Sequence, residues 1–124
     1  MLCMVAGDAK YPGDSRAASQ LRKGVLEYCV LALLRDGPRY GVELVEELAR
    51  VDAMATSQGT MYPLLSRLRR SGLADTHLQE SGNGPPRRYY TLTDAGRAAL
   101  REFADDWPAF RAAVDHFLTP GETT

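Results

Sequence analysis

Hydrophobic residues recur at three- and four-residue intervals in four segments of the chain, and this period predicts four α-helices. The first, residues 20–35, is apolar around most of its circumference, as is typical of a helix in a core. The second, residues 40–50, has an apolar stripe on one side and glutamates on the other. Gly37 and Pro38 separate the two helices, since glycine often follows the last helical residue and proline cannot continue a helix.

The third helix is predicted to begin after Ser57, a favourable N-cap, and to end at Gly72. Its apolar residues fall within one narrow sector and are expected to face the core: Met61, Leu64, Leu65 and Leu68. The opposite side is small or basic, comprising Gly59, Pro63, Ser66 and Arg70. Pro63 costs about 3 kcal/mol inside a generic helix. A bend or a close approach required by function is one explanation for it.

Two strands with alternating faces are predicted after the third helix, at residues 73–80 and 87–92. The segment between them, residues 81–86, consists of Ser, Gly, Asn and Pro and predicts a turn. Three helices followed by strand, turn and strand is the element order of a winged helix-turn-helix. In the second strand, Tyr90 is expected to be a core residue.

The last helix is predicted to follow the N-cap Thr93 and to run to about Leu118. Large apolar residues recur along one of its sides, and a small domain leaves them little to pack against, so a second copy of the chain is the economical partner. We therefore expect a homodimer formed through Leu100, Phe103, Trp107, Phe110, Val114 and Phe117.

These elements predict a mainly α fold with a small β-wing, a winged helix-turn-helix followed by one long C-terminal dimerisation helix. The expected organisation is a flexible N-terminal extension (1–19), a DNA-binding domain (20–92), a dimerisation helix (93–118) and a tail (119–124). Residues 1–19 lack periodicity and are rich in small residues, which is why we assign them to a flexible extension.

The charge distribution favours a local contact with nucleic acid over indiscriminate binding. The chain has a net charge of −1, but residues 57–92 hold 5 basic and 2 acidic side chains, whereas residues 93–124 hold 3 and 6. Phosphate attraction depends on the charges at the contact, so a basic helix-and-wing unit on a neutral body suits a selective DNA binder. The excess is small, and a winged-helix module that binds protein and not DNA is the alternative.

Other classes of function find little support in the sequence. Two cysteines and two histidines, without a CxxC or HExxH pattern, are too few for a metal site. No nucleophile–base pair or phosphate-binding loop is present, so we predict neither a cofactor nor an enzyme. No apolar run approaches the roughly 18–20 residues that span a bilayer, and the N-terminus lacks the features of a secretion signal. We expect a cytoplasmic protein with no membrane partner.

Two motifs resemble a known family. The run TMYPLLSRL at residues 60–68, followed by Gly72-Leu73, resembles the T-hydrophobic-Y-P-hydrophobic-L-x-R-L…G-L signature of the PadR transcriptional regulators. The run PRRYYTLTDAGR at residues 86–97 is similar to that family's R-x-Y-Y-x-L-T-x-x-G-R segment. The resemblance covers about residues 21–118. One departure is Val42, at a position where the family often carries an aromatic residue after the glycine of the second helix.

The resemblance implies a homodimeric repressor that reads a palindromic operator in double-stranded DNA. A single C-terminal helix is similar to the short PadR subfamily. Some relatives bind planar aromatic or phenolic ligands near the dimer interface and then release DNA, which implies an effector of this kind here. Trp107 has two interpretations: it stacks on the effector, with Phe103 and Phe110 as neighbours, or it fills the dimer core.

The candidate DNA contacts lie in the third helix, the wing and the start of the second helix. Ser57 suits a phosphate at a helix N-terminus, while Gln58 and Thr60 are close enough to the N-terminus to reach base edges. Tyr62 and Arg67 are expected on phosphates, with a salt bridge as the alternative role of Arg67. The full set is Ser57, Gln58, Thr60, Tyr62, Arg67, Arg87, Arg88 and Tyr40. Arg87 and Arg88 at the wing tip are expected to reach the DNA backbone or a minor groove, and the alternative for both is a solvated hairpin tip.

Overall fold

The structure, a computed structural model, describes residues 15–121. Within that range it contains four α-helices and three short strands, which confirms the mainly α fold with a small β-wing. In chain order the elements are α1 (Arg16–Arg35), β1 (Arg39–Tyr40), α2 (Gly41–Ala49), a 3₁₀ turn (Asp52–Met54), α3 (Gln58–Arg70), β2 (Ala74–Gln79), β3 (Arg87–Leu92) and α4 (Asp94–Leu118).

The first helix is longer than the hydrophobic period predicts. It begins at Arg16 and not at residue 20, because the Ser15 side chain caps it by accepting a hydrogen bond of 3.0 Å from the backbone N–H of Ala18. Residues 16–19 therefore belong to a helix, and their assignment to a flexible extension was wrong. The rest of that extension, residues 1–14, and the end of the tail, residues 122–124, lie outside the described residues.

The core forms where α1, α2 and α3 meet the sheet and the first turns of α4. Met61, Leu65 and Leu68 of α3 are almost fully buried, which confirms that the apolar sector of this helix faces inward. Tyr90 of β3 is buried as well, as predicted, and burial raises the pKa of its phenol above the ordinary value of 10.0. The remaining large core residues are Leu26, Val30, Leu31, Leu34, Leu44, Leu48, Leu64 and Leu100.

The sheet has the order β1-β3-β2, with both pairs antiparallel. The sequence predicted β2 and β3 but missed β1, whose two residues pair with Tyr89 and Tyr90 of β3. A two-residue strand has no alternation of its own to detect, since it is defined only by its partner. Because of β1, Tyr40 lies in the strand and is the N-cap of α2, so the helix begins at Gly41, one residue later than predicted.

The wing extends away from the core as β2 and β3 leave α3 and α4. Leu78 pairs with Arg88 and Gln79 with Arg87, so the two arginines lie at the outer end of the ladder, where all four residues are exposed. The connection beyond them contains Gly82, whose φ of 81° is a left-handed conformation suited to glycine.

The base of the wing is tied to both α3 and α4. The Thr93 hydroxyl donates a hydrogen bond of 2.6 Å to the carbonyl of Gly72 and accepts one of 2.9 Å from the backbone N–H of Gly96. Thr93 therefore caps α4, as predicted, and also holds the end of α3 against it. This tie sets the position of the wing relative to α3.

Candidate nucleic-acid interface

The third helix presents an exposed face of small and polar residues to solvent. Ser57 caps it by accepting a hydrogen bond of 3.2 Å from the backbone N–H of Thr60. Gln58 and Thr60 are exposed in the first turn, and the middle of the face is formed by the small residues Gly59 and Ser66. A helix whose outer face is this shallow can approach another surface closely. The N-terminal half of α3 is therefore the part of the fold best shaped to enter a groove.

Tyr62 leaves this face on the side of the wing and packs over the start of α2. A Cβ built on Gly41 would lie 2.5 Å from Cε1 of the Tyr62 ring and 2.8 Å from its hydroxyl oxygen. The absence of a side chain at Gly41 thus makes room for the ring. Tyr62 and the wing enclose an open cleft of about 480 Å³, lined by Tyr40, Gly41, Val42, Tyr62, Arg87, Arg88 and Tyr90.

Both wing arginines are held by neighbouring side chains. The Arg87 guanidinium carbon lies 4.6 Å from the centroid of the Tyr40 ring, a cation–π distance, and Arg88 Nη1 donates to the Thr76 hydroxyl at 3.2 Å. The Tyr40 ring in turn meets the Tyr89 ring edge-on, with centroids 5.3 Å apart. Tyr40, Tyr62, Arg87 and Arg88 line the same cleft, although Tyr40 and Arg88 are 48 residues apart in the sequence.

Arg67 forms the ion pair that was the alternative to a DNA contact. Its Nη2 lies 3.4 Å from Oε1 of Glu27 on α1, and about half of the Arg67 side chain remains exposed. Arg67 therefore faces away from the wing, toward α1. The pair is a surface pair of modest strength, so it does not prevent Arg67 from exchanging partners.

A second cleft lies on the α1 side of α3. It has a volume of about 590 Å³ and brings Arg22 and Lys23 of α1 next to Ser57, Thr60 and Arg67. Arg22 and Lys23 were not predicted from the sequence to belong to a DNA contact. The available signal was two adjacent cations one helical turn after Ser19, but it becomes informative only when α1 is known to pack beside the start of α3.

The residues predicted to form a dimer divide into two groups along α4. Leu100 is 9% exposed and belongs to the core of its own chain, because the first turns of α4 pack on the winged domain; its assignment to a dimer contact was wrong. Phe103 is half-buried and stacks on Tyr28 of α1, with ring centroids 4.2 Å apart. The residues beyond it are exposed: Trp107 (37%), Val114 (43%), Phe110 (66%) and Phe117 (85%).

The exposed part of α4 and the first half of α1 form a third, largely apolar cleft of about 490 Å³. Trp107 stacks on Phe103 at a centroid distance of 5.6 Å, so Tyr28, Phe103 and Trp107 make a continuous aromatic column. Leu21 and Val25 line the α1 side of the cleft, and Phe110 and Val114 line the α4 side.

Among residues 15–121, no helix is both long and apolar enough to cross a membrane. In the same range, no three His, Cys, Asp or Glu side chains are grouped closely enough to hold a metal ion.

Comparison with known proteins places this geometry in one family. The family model described as "Transcriptional regulator PadR-like family" matches residues 30–102. Transcriptional regulator Rv3488 of Mycobacterium tuberculosis is 36% identical over 83 residues, which are 67% of this chain and 76% of that protein. The negative transcriptional regulator PadR of Bacillus subtilis is 32% identical over 83 residues, 64% of this chain and 44% of PadR. A crystal structure of a PadR family regulator from Eggerthella lenta matches with a TM-score of 0.76 at 35% identity, covering 85% of this chain and 91% of that one.

Proposed function

Because this chain belongs to the PadR-like family of transcriptional regulators, we propose that it is a homodimeric repressor of a palindromic operator, released by a small aromatic effector. Transcriptional regulation follows from the family, whose members are regulators and not enzymes, in agreement with the sequence prediction. The relative named a negative regulator supports repression. The exposed half of α4 supports both the proposed dimer and the proposed effector site.

The main support for DNA binding is the shallow exposed face of α3, which lies beside a wing whose two arginines are held by neighbouring side chains. We assign Gln58 and Thr60 to base edges in the major groove, since both lie in the first turn of α3. Ser57 and the first backbone amides of α3 bind a phosphate, because a helix N-terminus attracts anions. Tyr62, Tyr40, Arg87 and Arg88 hold the backbone on the wing side, since they share one cleft.

The dimer is proposed from the aromatic residues that α4 exposes. Phe110 and Phe117 are 66% and 85% exposed on the same helix as Trp107. Large exposed apolar patches on small domains mark interaction surfaces, so we expect a partner to cover this one. A second copy supplies an identical stripe through a two-fold axis, and two winged domains then fit two half-sites. The helix-and-wing unit of each copy, residues 57–92, has only a small positive excess, so pairing raises the affinity through effective concentration.

The effector is proposed to bind in the cleft between α1 and α4. The aromatic column that ends at Trp107 offers a stacking surface, and the surrounding side chains are mainly apolar. A planar aromatic molecule suits such a surface because offset stacking adds to the burial of its faces. A ligand at this position changes the packing of α4 on α1, and therefore the separation of the two reading helices.

The test of DNA binding is footprinting on the DNA upstream of the chain's own gene. We expect two protected half-sites about one helical turn apart. Replacing both Arg87 and Arg88 by Ala is expected to weaken binding and to reduce the dependence of affinity on salt, since each lost phosphate contact lowers that slope by about 0.9. No protection, or an unchanged slope, would favour the alternative module that binds protein.

The test of the dimer uses exposed apolar residues on two different surfaces. Changing Phe110 and Phe117 together to Glu is expected to halve the mass measured by sedimentation equilibrium. Leu78→Glu is the matched control, because Leu78 is 61% exposed on the wing and not on α4. Equal masses for all three proteins would contradict a dimer through α4.

The test of the effector uses the single tryptophan as a reporter. Aromatic compounds that release the protein from DNA are expected to change the fluorescence of Trp107. Release with unchanged fluorescence would show that the effector binds elsewhere, and no release by any compound in the panel would count against regulation by aromatic molecules.

A further inference from the structure

The cleft on the α1 side of α3 carries a cationic cluster outside the helix and wing. Arg22, Lys23 and Arg67 line it together with the hydroxyl groups of Ser57 and Thr60. Among the described residues that line this cleft, none is a carboxylate. The nearest acidic partner identified is Glu27, which pairs with Arg67. The cleft is therefore a positively charged surface next to the first turn of α3.

The orientation of α1 directs these cations toward α3. Ser19, Arg22, Lys23 and Leu26 follow the helical spacing of one face, and Leu26 is buried in the core. Arg22 is anchored, since its Nη1 donates a hydrogen bond of 2.8 Å to the carbonyl of Ala53 in the 3₁₀ turn before α3. A guanidinium has five N–H donors, so an anchored Arg22 keeps donors for a ligand. Lys23 is exposed beside it.

The two cationic clefts lie on opposite flanks of the exposed face of α3. Tyr62 belongs to the cleft on the wing side, whereas Thr60 and Arg67 belong to the cleft on the α1 side. The small residues Gly59 and Ser66 are exposed between them. A helix in the major groove, which is about 12 Å wide, has a sugar–phosphate backbone on each side. The wing supplies cations for one of these backbones.

We propose that the α1 cleft binds the phosphodiester backbone on the other flank of the groove, with Arg22 and Lys23 as its principal contacts. This inference rests on the proposed DNA binding and extends it to a helix that carries no part of the reading face. A phosphate entering the cleft meets Arg22, Lys23 and the positive end of the α3 dipole, and it competes with Glu27 for Arg67. α3 is thereby held between two backbone contacts, which fixes its depth and angle in the groove.

The experiment compares operator affinity over a range of salt for single and double variants of the full chain. Arg22→Ala with Lys23→Ala removes two phosphate contacts per protomer, so we expect affinity to fall about 10-fold or more near 0.15 M salt, with a reduced salt slope. Discrimination against a mutated operator is expected to be unchanged, because phosphate contacts carry no base information. Arg35→Ala is the matched control, a cation at the other end of the same helix with its side chain next to Asp36.

A second measurement, phosphate ethylation interference, locates the backbone contacts on each flank of the half-site. Phosphate ethylation interference on the wild-type complex is expected to mark backbone positions on both flanks of each half-site, and the double variant is expected to lose one flank only. Lys23→Ala controls for misfolding of the double variant, because Lys23 is exposed and the single change leaves the hydrogen bond of Arg22 to Ala53 intact. This single variant is expected to lose part of the interference signal on the same flank. Failure of the wild type to bind any DNA would overturn the proposed function and this inference together.

Two further results would overturn the inference alone. The first is operator binding by the double variant with an unchanged salt slope and unchanged interference on both flanks. The second is stabilisation of the DNA-free wild type, but not of the variant, by inorganic phosphate, with equal DNA affinities. The latter result would show that the cleft binds a free anion and not the operator backbone.

Discussion

The ring of Tyr62 occupies the space that a side chain at Gly41 would need. A Cβ at Gly41 would lie 2.5 Å from Cε1 of that ring, and the two residues are 21 positions apart, on α2 and α3. Tyr62 also lines the cleft between α3 and the wing. The two helices of the helix-turn-helix are thus matched through one glycine and one tyrosine.

Gly41→Ala is expected to displace the Tyr62 ring and to weaken operator binding several-fold. The ring is the far end of a flexible side chain, so it can move away, and the free energy of unfolding is expected to change by less than about 1 kcal/mol. Affinity is measured by titration of labelled operator, and stability by urea unfolding. In a Tyr62→Ala background the same glycine substitution is expected to have little further effect on affinity. Equal losses in both backgrounds would contradict the proposed link.

Gly96→Ala is expected to destabilise the fold by about 1–3 kcal/mol, the range typical of overpacking. The added Cβ would meet the carbonyl oxygen of Leu73 and lie 2.6 Å from Cδ1 of Leu92, and the backbone carbonyl cannot swing away. Gly59→Ala is the matched control on α3, where the nearest atom is 3.6 Å away. There the same change is expected to stabilise the helix by about 0.5–1 kcal/mol. Urea unfolding of the DNA-free proteins measures both, and a stable Gly96→Ala variant would refute the close approach.

Thr93→Ala is expected to lower the free energy of unfolding by about 1–2 kcal/mol, since it removes the N-cap of α4. The same change removes the hydrogen bond to the carbonyl of Gly72, so the wing loses a tie to α3. Thr119→Ala, at the exposed end of α4, removes a hydrogen bond to Asp115 and is expected to change stability by less than about 0.5 kcal/mol. Similar losses for the two threonines would indicate that neither the N-cap of α4 nor the hydrogen bond to Gly72 contributes to stability.

Glu27→Gln is expected to raise the affinity for DNA of any sequence by about 2- to 10-fold at low salt. The substitution removes a negative charge beside the cleft proposed to bind DNA and releases Arg67 from its ion pair. Because exposed ion pairs contribute about 0–1 kcal/mol, stability is expected to change little. The gain should shrink as salt increases. Glu46→Gln, on an exposed site of α2, is the control for the loss of a carboxylate. An equal gain from both variants would show a general charge effect.

Much of the winged domain was predictable because its signals are local. The stripe from Met61 to Leu68 follows the helical period, and Ser57 and Thr93 cap the helices that follow them, so periodicity and capping located α3 and α4 within a residue or two. The same reasoning started α1 too late, because the cap at Ser15 precedes four helical residues with little hydrophobic pattern. The short strand β1 was missed, since its only definition is its pairing with β3.

The candidate site was predictable in part for the same reason. Exposure of Gln58, Thr60 and Tyr62 follows from the helical period of α3. The sequence offered two roles for Arg67, and only its distance to Glu27, a residue 40 positions away, identified the ion pair. Likewise, the burial of Leu100 depends on how far along α4 the helix packs against the winged domain, which the sequence does not show.

By itself the sequence determined the element order, the buried face of α3, the wing and the resemblance to a family, because each depends on residues close together along the chain. Only the tertiary structure decided which side chains share a surface: Tyr62 with Gly41, Arg87 with Tyr40, and Arg22 with the start of α3. The physical reason is that such contacts depend on the packing angles between elements, which a large set of weak core contacts determines jointly. The reading helix was thus visible in the sequence, whereas its two flanking cationic clefts required the fold.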